Sequence, residues 1–312
     1  MRKPLVQLCL LLLGLGLAAT PATAAVPECS GPVSQRVIYT GQGVLESVTA
    51  GSGGRLYVSG TDQGTGDAFL RKYPKPGAAT YDISRAEPGP GGLAWAGRRL
   101  LWGYGNTFTN GSAGDLNPMA GLYSLNPVNG RRFTVSSKLG MANGIARGKG
   151  GSIFASNSVG QKLDRITPQG ETINGWATLP GANGLAVSPD GRYLYANQMT
   201  VTPSAIARIE IAHPDNVTTY YSTADQGGAN VLLDGLTRDE KGNLYAAAWG
   251  IGEIWKIGGD GQACAVATGI TQPSSVTFGG GRRGFRSANL YAAGWGGEIV
   301  EIKGARRAAF PG

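Results

Sequence analysis

Residues 183–197 read NGLAVSPDGRYLYAN, two short apolar runs joined by a tight turn. In the Pro-Asp-Gly turn at residues 189–191, the proline presets one backbone dihedral angle and the glycine accepts a positive one. The chain therefore reverses between two strands. Further apolar runs at residues 171–179 and 205–211 flank this pair, so the unit predicts four short strands in sequence order.

The same arrangement recurs along the chain, and such repeats of roughly 40–45 residues are typical of propeller blades. Six modules cover residues 35–73, 78–126, 131–167, 171–211, 216–258 and 263–303. They predict an all-β, six-bladed β-propeller with four-stranded blades. The first outer strand, residues 35–40, has no partner in its own module. We expect it to pair with the last strand, residues 297–303, because this pairing closes the ring and leaves no free long edge.

The composition supports short strands and excludes one class of partner. Glycine supplies 52 of the 312 residues and charged residues only 15%, which favours many strands separated by glycine turns. The net charge of +8 falls to +6 without Arg2 and Lys3 of the leader described below. The basic residues occur as scattered pairs, with no continuous stripe and no stacking-aromatic motif. We therefore expect no nucleic-acid partner.

Residues 1–24 have the features of a secretory signal peptide. Two basic residues precede an apolar run at residues 5–19, and residues 22–24 supply an A-x-A cleavage signal. The run is too short to favour a membrane span. We expect residues 25–312 to form a single domain, secreted as a monomer, not inserted in a membrane, and acting on a small-molecule substrate.

Two cysteines remain once the leader is removed, Cys29 and Cys264. In an oxidising compartment such a pair more often forms a disulfide than two free thiols. Cys29 lies just before the strand expected to close the ring, and Cys264 lies in the outer strand that opens the sixth module. The two would meet on neighbouring blades, which predicts a disulfide across the seam.

A side-chain oxygen returns at one register position of the modules. Aligned on the apolar residue two places later, the six positions hold Glu46, Gly91, Asn143, Asn183, Asp234 and Ser274. Equivalent positions of radially arranged repeats converge on the axis. Two carboxylates and two amides suit Ca²⁺, and the lack of His and Cys disfavours Zn²⁺. Glu46, Asn143, Asn183 and Asp234 therefore predict a cation site, most favourably for Ca²⁺, with Mn²⁺ or Zn²⁺ as alternatives.

Turn formation is the alternative explanation for three of these residues, because Asn-Gly and Asp-Gly are common turn dipeptides. Each dipeptide taken alone permits that interpretation. However, all four oxygen-bearing residues precede an inner strand, whereas the tight hairpin turns follow some residues later. Recurrence at one register favours the cation site.

The run at residues 183–197 resembles the signature of the gluconolactonase and senescence-marker-protein (regucalcin-like) family, which has paraoxonase and strictosidine-synthase-like relatives. The resemblance spans the six modules, residues 35–303. It implies a six-bladed propeller with a divalent cation in the axial tunnel and with Asp234 as general base. The implied metal ligands are Glu46, Asn183 and Asp234, with Asn143 contacting the metal or the substrate.

The chain departs from the family at the substrate side. Regucalcin-like lactonases carry a substrate-orienting arginine where this chain has Met141. Paraoxonases use histidines near the metal, whereas the only histidine here is His213, which we expect in a surface loop between blades. The resemblance therefore carries over to the metal site more fully than to the substrate site.

The residues that end the second strands of the modules should face one opening of the tunnel. They are Tyr104, Asn106, Asn157, Asn197, Trp249 and Trp295. If the two tryptophans line the rim, they form an apolar pocket that accepts a ring. The alternative is that they pack between blades, as large aromatic residues commonly do.

These features predict a secreted, divalent-metal-dependent hydrolase of a lactone or related ester. The cation would polarise the carbonyl group, and Asp234 or a metal-bound hydroxide would activate water. An alternative is a noncatalytic extracellular ligand-binding propeller with a structural cation, which Met141 makes more credible. A strictosidine-synthase-like condensation has little support, because no distinct catalytic glutamate stands out apart from Glu46.

Overall fold

The computed structural model describes residues 26–86 and 88–312. The predicted signal peptide, residues 1–24, lies outside these ranges. The described residues form 24 strands in six four-stranded antiparallel sheets, so the predicted all-β, six-bladed propeller is confirmed. Among the helices in this part of the chain, none is long and apolar enough to cross a membrane.

Five blades are continuous in sequence and run outward from the axis. The first strand is β1 (Ser34–Tyr39); blade 1 comprises β2 (Val44–Gly51), β3 (Arg55–Thr61), β4 (Ala68–Tyr73) and β5 (Tyr81–Ala86); blade 2 comprises β6 (Pro90–Ala96), β7 (Arg99–Tyr104), β8 (Ala120–Leu125) and β9 (Arg132–Leu139); blade 3 comprises β10 (Ile145–Arg147), β11 (Ile153–Ala155), β12 (Lys162–Ile166) and β13 (Thr172–Thr178).

The second half of the chain repeats this order. Blade 4 comprises β14 (Ala182–Val187), β15 (Tyr193–Gln198), β16 (Ala205–Glu210) and β17 (His213–Ser222); blade 5 comprises β18 (Leu233–Arg238), β19 (Leu244–Ala248), β20 (Glu253–Ile257) and β21 (Ala263–Ala267); blade 6 comprises β22 (Pro273–Phe278), β23 (Leu290–Gly294), β24 (Ile299–Lys303) and β1. A short helix, α1 (Phe108–Gly114), lies between β7 and β8, and 3₁₀ turns occupy Ala224–Gln226 and Ala305–Arg307.

Ring closure follows the predicted scheme. Strand β1 pairs antiparallel with β24, from Ser34 opposite Lys303 to Tyr39 opposite Ile299. Each sequence module accordingly begins with the outermost strand of one blade and continues with three inner strands of the next. The blades are thus interlocked along the chain, and the first and last modules share blade 6.

The segment before β1 ties the seam to blade 5. The Cys29 N–H donates to the Ala265 carbonyl at 2.9 Å, and the Ala265 N–H donates to the Pro27 carbonyl at 2.8 Å. Cys29 and Cys264 form a disulfide with Cα atoms 4.9 Å apart. The bond joins the outermost strand of blade 5 to the chain that enters the closing strand of blade 6.

The hydrophobic core consists of layers between neighbouring blades. Tyr57 and Leu70 of blade 1 pack with Leu100 and Trp102 of blade 2. Every residue of β19 and β23 is buried. Each blade lies between two neighbours, and each neighbour covers one face of its inner strands. Each blade therefore depends on closure of the ring for the burial of its apolar surface.

Replacing both Cys29 and Cys264 with serine should lower the thermal stability of the protein. The disulfide closes a loop with a sequence separation of 235 residues, and removal of such a cross-link typically costs about 2–4 kcal/mol. Differential scanning calorimetry should show a lower Tm for the double variant, and reductant should lower the Tm of the wild type alone. Equal Tm values for the two proteins would contradict this role of the disulfide.

Candidate functional site

The predicted ligand residues meet in a cavity of about 170 Å³ on the propeller axis. Its walls come from the innermost strands of all six blades. Glu46, Asn143, Asn183, Asp234 and Ser274 all line it. The structure therefore brings together the four oxygen-bearing residues that the sequence register selected.

β-Bulges aim these side chains at the axis. In five blades the pairing of the innermost strand with the second strand shifts at the register position. The shifts lie between Leu45 and Ser47, Pro90 and Leu93, Ala182 and Leu185, Leu233 and Leu236, and Pro273 and Ser275. In blade 3, β10 begins only at Ile145, after Asn143. A bulge leaves its residue unpaired and re-aims the side chain, so each register residue leaves the ladder where the strands converge.

The glycines after these residues are needed for close packing of the blades. A Cβ at Gly144 would lie 2.2 Å from the Asn183 carbonyl oxygen, and one at Gly184 would lie 2.3 Å from that of Asp234. Neither these two glycines nor Gly235 has a positive φ. The Asn-Gly and Asp-Gly pairs therefore act as points of contact between neighbouring inner strands, and the turn-dipeptide alternative does not apply.

Polar side chains on or just after the second strands donate hydrogen bonds to the inner-strand backbone of the next blade. The Ser156 hydroxyl donates to the Asn183 carbonyl, and Asn197 Nδ2 donates to the Asp234 carbonyl, both at 2.6 Å. Ser59 makes the equivalent bond from blade 1 to Gly91 at 2.7 Å. The available sequence signal was a polar residue closing an otherwise apolar strand, but only the structure shows that it bonds to the next blade.

Glu46 and Asp234 are two carboxylates that line the same cavity, where Asp234 is buried and Glu46 is half-buried. Burial raises the pKa of Glu46 from 4.5 to about 7, although hydrogen bonds from Trp295 and Asn106 act in the opposite direction. Burial, and then the charge of Glu46, raise the pKa of Asp234 well above its usual value, while an Asn183 hydrogen bond lowers it. Within residues 26–86 and 88–312, neither carboxylate forms an ion pair with a basic side chain.

Two hydrogen bonds hold the Glu46 carboxylate in place. Asn106 Nδ2 donates to Glu46 Oε1 at 2.8 Å, and Trp295 Nε1 donates to Oε2 at 3.4 Å. Asn106 is itself held by a 3.0 Å bond from Nδ2 to the Pro90 carbonyl. Two of the residues predicted to line the opening therefore contact a predicted metal ligand directly.

The side-chain amide nitrogens of Asn143 and Asn183 also donate hydrogen bonds to neighbouring side chains. Asn143 Nδ2 donates to Ser158 Oγ at 3.2 Å, and the Ser158 hydroxyl donates to Met141 Sδ at 3.6 Å. Asn183 Nδ2 donates to Met199 Sδ at 3.1 Å. Each contact anchors the nitrogen of an amide, which leaves the amide oxygen as the end suited to bind a cation.

The predicted opening residues divide into two groups. Trp295 is 36% exposed and packs edge to face on Trp249, with ring centroids 5.2 Å apart. Tyr104 instead stacks on Tyr123 at 4.3 Å. Thus Trp295 reaches the site together with Asn106, whereas the ring of Tyr104 packs along its own blade.

Asn157 and Asn197 are buried, and their side chains form hydrogen bonds with backbone groups. Asn157 Nδ2 donates to the Gly111 carbonyl of α1 at 2.8 Å, and its Oδ1 accepts the Gly160 N–H at 2.9 Å. Asn197 holds the backbone of blade 5, as described above.

His213 does not lie in an interblade loop as expected: it is the exposed first residue of β17 and pairs with Glu210. The pairing follows from a shifted register near the end of β16, which lets the outermost strand begin earlier.

A known family model matches the central part of the chain. Residues 148–284 carry the SMP-30/Gluconolactonase/LRE-like region. This segment extends from blade 3 into blade 6 and includes the run at residues 183–197. The resemblance to the gluconolactonase and senescence-marker-protein family is therefore confirmed. No curated protein sequence shows a significant match to the chain.

Solved structures share this fold over nearly the whole chain. A gluconolactonase from Xanthomonas campestris has a TM-score of 0.68 and 17% identity, covering 92% of this chain and 95% of its own. A luciferin-regenerating enzyme has a TM-score of 0.65 and 15% identity, covering 90% and 98%. A virginiamycin B lyase from Staphylococcus aureus has a TM-score of 0.57 and 12% identity, covering 87% and 99%. At such low sequence identities, the structural similarity to these three proteins establishes only that the fold is shared.

Replacing Glu46 with glutamine should stabilise the metal-free protein at alkaline pH. The folded protein binds the Glu46 proton more tightly than the unfolded chain, because the pKa rises from 4.5 to about 7. The stability penalty is absent below about pH 4.5 and grows as the pH rises through 7. In chelator, the Tm gain of Glu46→Gln over wild type should therefore be small at pH 5 and larger at pH 8.

The exposed residue Glu171 provides the control for this comparison. Glu171→Gln should shift the Tm equally little at both pH values. A Tm difference for Glu46→Gln that does not change with pH would show that the folded protein does not raise the pKa of Glu46.

Replacing Gly184 with alanine should disturb the contact between blades 4 and 5. The added Cβ would lie 2.3 Å from the Asp234 carbonyl oxygen, and overpacking of this kind costs about 1–3 kcal/mol. We expect a lower Tm and weaker Ca²⁺ binding by calorimetry. Gly150→Ala is the matched control, because a Cβ there meets nothing within 4 Å. Identical behaviour of the two variants would contradict the packing role of Gly184.

Proposed function

We propose that this protein is a divalent-cation-dependent hydrolase of a lactone or related ester. The observation that carries the proposal is the axial cavity, where two carboxylates with raised pKa values and two amide side chains meet. In the described part of the chain, neither carboxylate pairs with a basic side chain. The family region at residues 148–284 and the fold shared with a gluconolactonase also support it.

The residues present fit a hard cation. The carboxylates of Glu46 and Asp234 lack a compensating positive side chain among the described residues, and oxygen is the donor that Ca²⁺ prefers. The described part of the chain holds no cluster of three or more His, Cys, Asp or Glu side chains suited to a metal. This donor set disfavours Zn²⁺, which is usually held by His and Cys. Glu46, Asn143, Asn183 and Asp234 would hold the ion, and Ca²⁺ is our first choice over Mn²⁺.

The cation, when bound, would polarise the ester carbonyl and stabilise the negative charge that develops on its oxygen. The two carboxylates differ in how they are held, and this difference assigns their roles. Glu46 accepts bonds from Asn106 and Trp295, so it remains a fixed anionic ligand. Asp234 is the candidate general base, because within the described residues a single side-chain hydrogen bond, from Asn183, acts on its pKa.

In the proposed reaction a water oxygen attacks the carbonyl carbon while Asp234 accepts the water proton. The carbon–oxygen bond of the ester then breaks, and the proton passes from Asp234 to the leaving alkoxide. Asn197 supports this step by fixing the Asp234 backbone through its 2.6 Å bond. The products are the hydroxy acid from a lactone, or an acid and an alcohol from an open ester.

Metal removal and Asp234 substitutions test the proposal together. Chelation should abolish turnover of a panel of lactones and aryl esters, and Ca²⁺ should restore it better than Mn²⁺ or Zn²⁺. Asp234→Asn keeps an oxygen ligand but removes the base, so kcat should fall about 100-fold or more while calorimetry still detects Ca²⁺. Full activity and full Ca²⁺ affinity in Asp234→Ala would refute the proposal.

A noncatalytic binding propeller is the second candidate, and Met141 is the observation that favours it. This residue replaces the substrate-orienting arginine expected from the resemblance, and its sulfur accepts a bond from Ser158. A structural cation would raise the Tm without turnover of any ester in the panel. Activity that follows the added metal would exclude this candidate.

Export from the cell is also part of the proposal. The disulfide between Cys29 and Cys264 supports it, because such bonds persist in oxidising compartments. The predicted signal over residues 1–24 points to the same compartment.

A further inference from the structure

The side chains that touch the oxygen-bearing residues from the mouth of the cavity are uncharged. Trp295 contacts Glu46, and Met199 contacts Asn183. Asn143 contacts Ser158, which in turn contacts Met141. Each of these residues follows a second strand or precedes a register position, so they belong to one end of the propeller.

The next ring of residues at this end shows the same character. Two places before the register residues, at or just before the start of the inner strands, stand Val44, Gly89, Met141, Gly181, Leu232 and Gln272. None of the six is charged, and only Gln272 bears a polar side chain. An acidic substrate would leave its charge without a basic partner there. At these six positions a polyhydroxylated ring would find a hydrogen-bonding side chain only at Gln272, and such groups are what discriminate these substrates.

Trp295 presents a large apolar surface whose orientation is fixed. Trp295 is 36% exposed, yet its Nε1 bonds to Glu46 and its ring forms a T-shaped contact with Trp249 at an interplanar angle of 82°. Two anchors therefore hold the ring beside the charged floor of the cavity. An exposed aromatic surface held in this way favours an apolar or aromatic ligand group.

The insertion that contains α1 lies beside Met141 and carries further exposed apolar residues. It follows Asn106, and a Cβ at Gly111 would lie 2.8 Å from Met141 Sδ, so α1 packs against Met141. The insertion carries three exposed apolar side chains. They are Phe108, Leu116 and Met119, which are 54%, 93% and 47% exposed.

We infer that the substrate is an uncharged ester or lactone with an apolar alkyl or aryl substituent, and that this substituent packs against Trp295 and Met199. The ester group lies at the polar floor of the cavity. This inference rests on the proposed hydrolase function. It excludes sugar-acid lactones and anionic esters as preferred substrates.

A series of γ- and δ-lactones with alkyl side chains of increasing length tests the substrate class. Burial of each added methylene should raise kcat/KM about fourfold until the pocket is full. Glucono-1,5-lactone should be at least about 100-fold poorer than the best alkyl lactone. A sugar lactone that matches or exceeds the alkyl series would overturn the inference.

Substitutions at Trp295 locate the apolar contact. Trp295→Phe should keep most of the gain per methylene, whereas Trp295→Gln should reduce it to less than about twofold. Phe133→Gln is the control, because Phe133 is an exposed aromatic residue on β9, the outermost strand of blade 2. An unchanged dependence on chain length in Trp295→Gln would overturn the assignment.

Nonhydrolysable alkyl lactams separate this inference from the hydrolase proposal. Calorimetry on the Ca²⁺-loaded protein should show affinity that rises with alkyl length in wild type and not in Trp295→Gln. If this dependence is seen while no ester is turned over, the apolar pocket stands and the hydrolase proposal fails. If lactones are hydrolysed with no dependence on alkyl length, the hydrolase proposal stands and the apolar pocket fails.

Discussion

The close approach of six inner strands around one axis is the constraint on which the structure depends. Gly144 and Gly184 leave room for the carbonyl of the next blade, where a Cβ would lie within 2.3 Å of it. At the equivalent positions of blades 1 and 6, Ser47 and Ser275 instead accept the Leu93 and Val48 N–H groups at 3.2 and 3.1 Å. Each blade therefore fixes the next, and the site exists only in the closed ring.

Ring closure also concentrates negative charge. Glu46 and Asp234 come from blades 1 and 5, yet burial and mutual repulsion raise the pKa of Asp234. A fold selected for stability alone would place apolar or paired side chains there, because isolated buried charges are costly. Asn106 and Trp295 hold Glu46 in this unfavourable position. The arrangement is understandable if a bound cation offsets the repulsion in the working protein.

The repeated features of the sequence predicted the fold and the residues that meet at the floor of the site, because six modules share one strand pattern and one register position. The roles of Asn157 and Asn197 could not be predicted in this way. Their amides bond to α1 and to the blade 5 backbone, and these partners lie far away in sequence. Similarly, the ring of Tyr104 stacks on Tyr123 of the adjacent strand. The sequence period predicts the face of a strand on which a residue lies. The hydrogen-bond partners of its polar atoms depend on neighbouring residues that differ from blade to blade, so the period does not predict them.

The two register positions without a strong ligand favour a catalytic ion over a structural one. Gly91 has no side chain, and the Ser274 hydroxyl donates to the Leu45 carbonyl at 2.6 Å, with the Ala293 carbonyl 3.2 Å away as a second acceptor. Ser274 is thus committed to the backbone. A calcium ion takes six to eight oxygen ligands, and the four side chains of the proposed site would supply only some of them. Positions would therefore remain for water and for a substrate oxygen, as an ester hydrolase requires and as a saturated structural site does not.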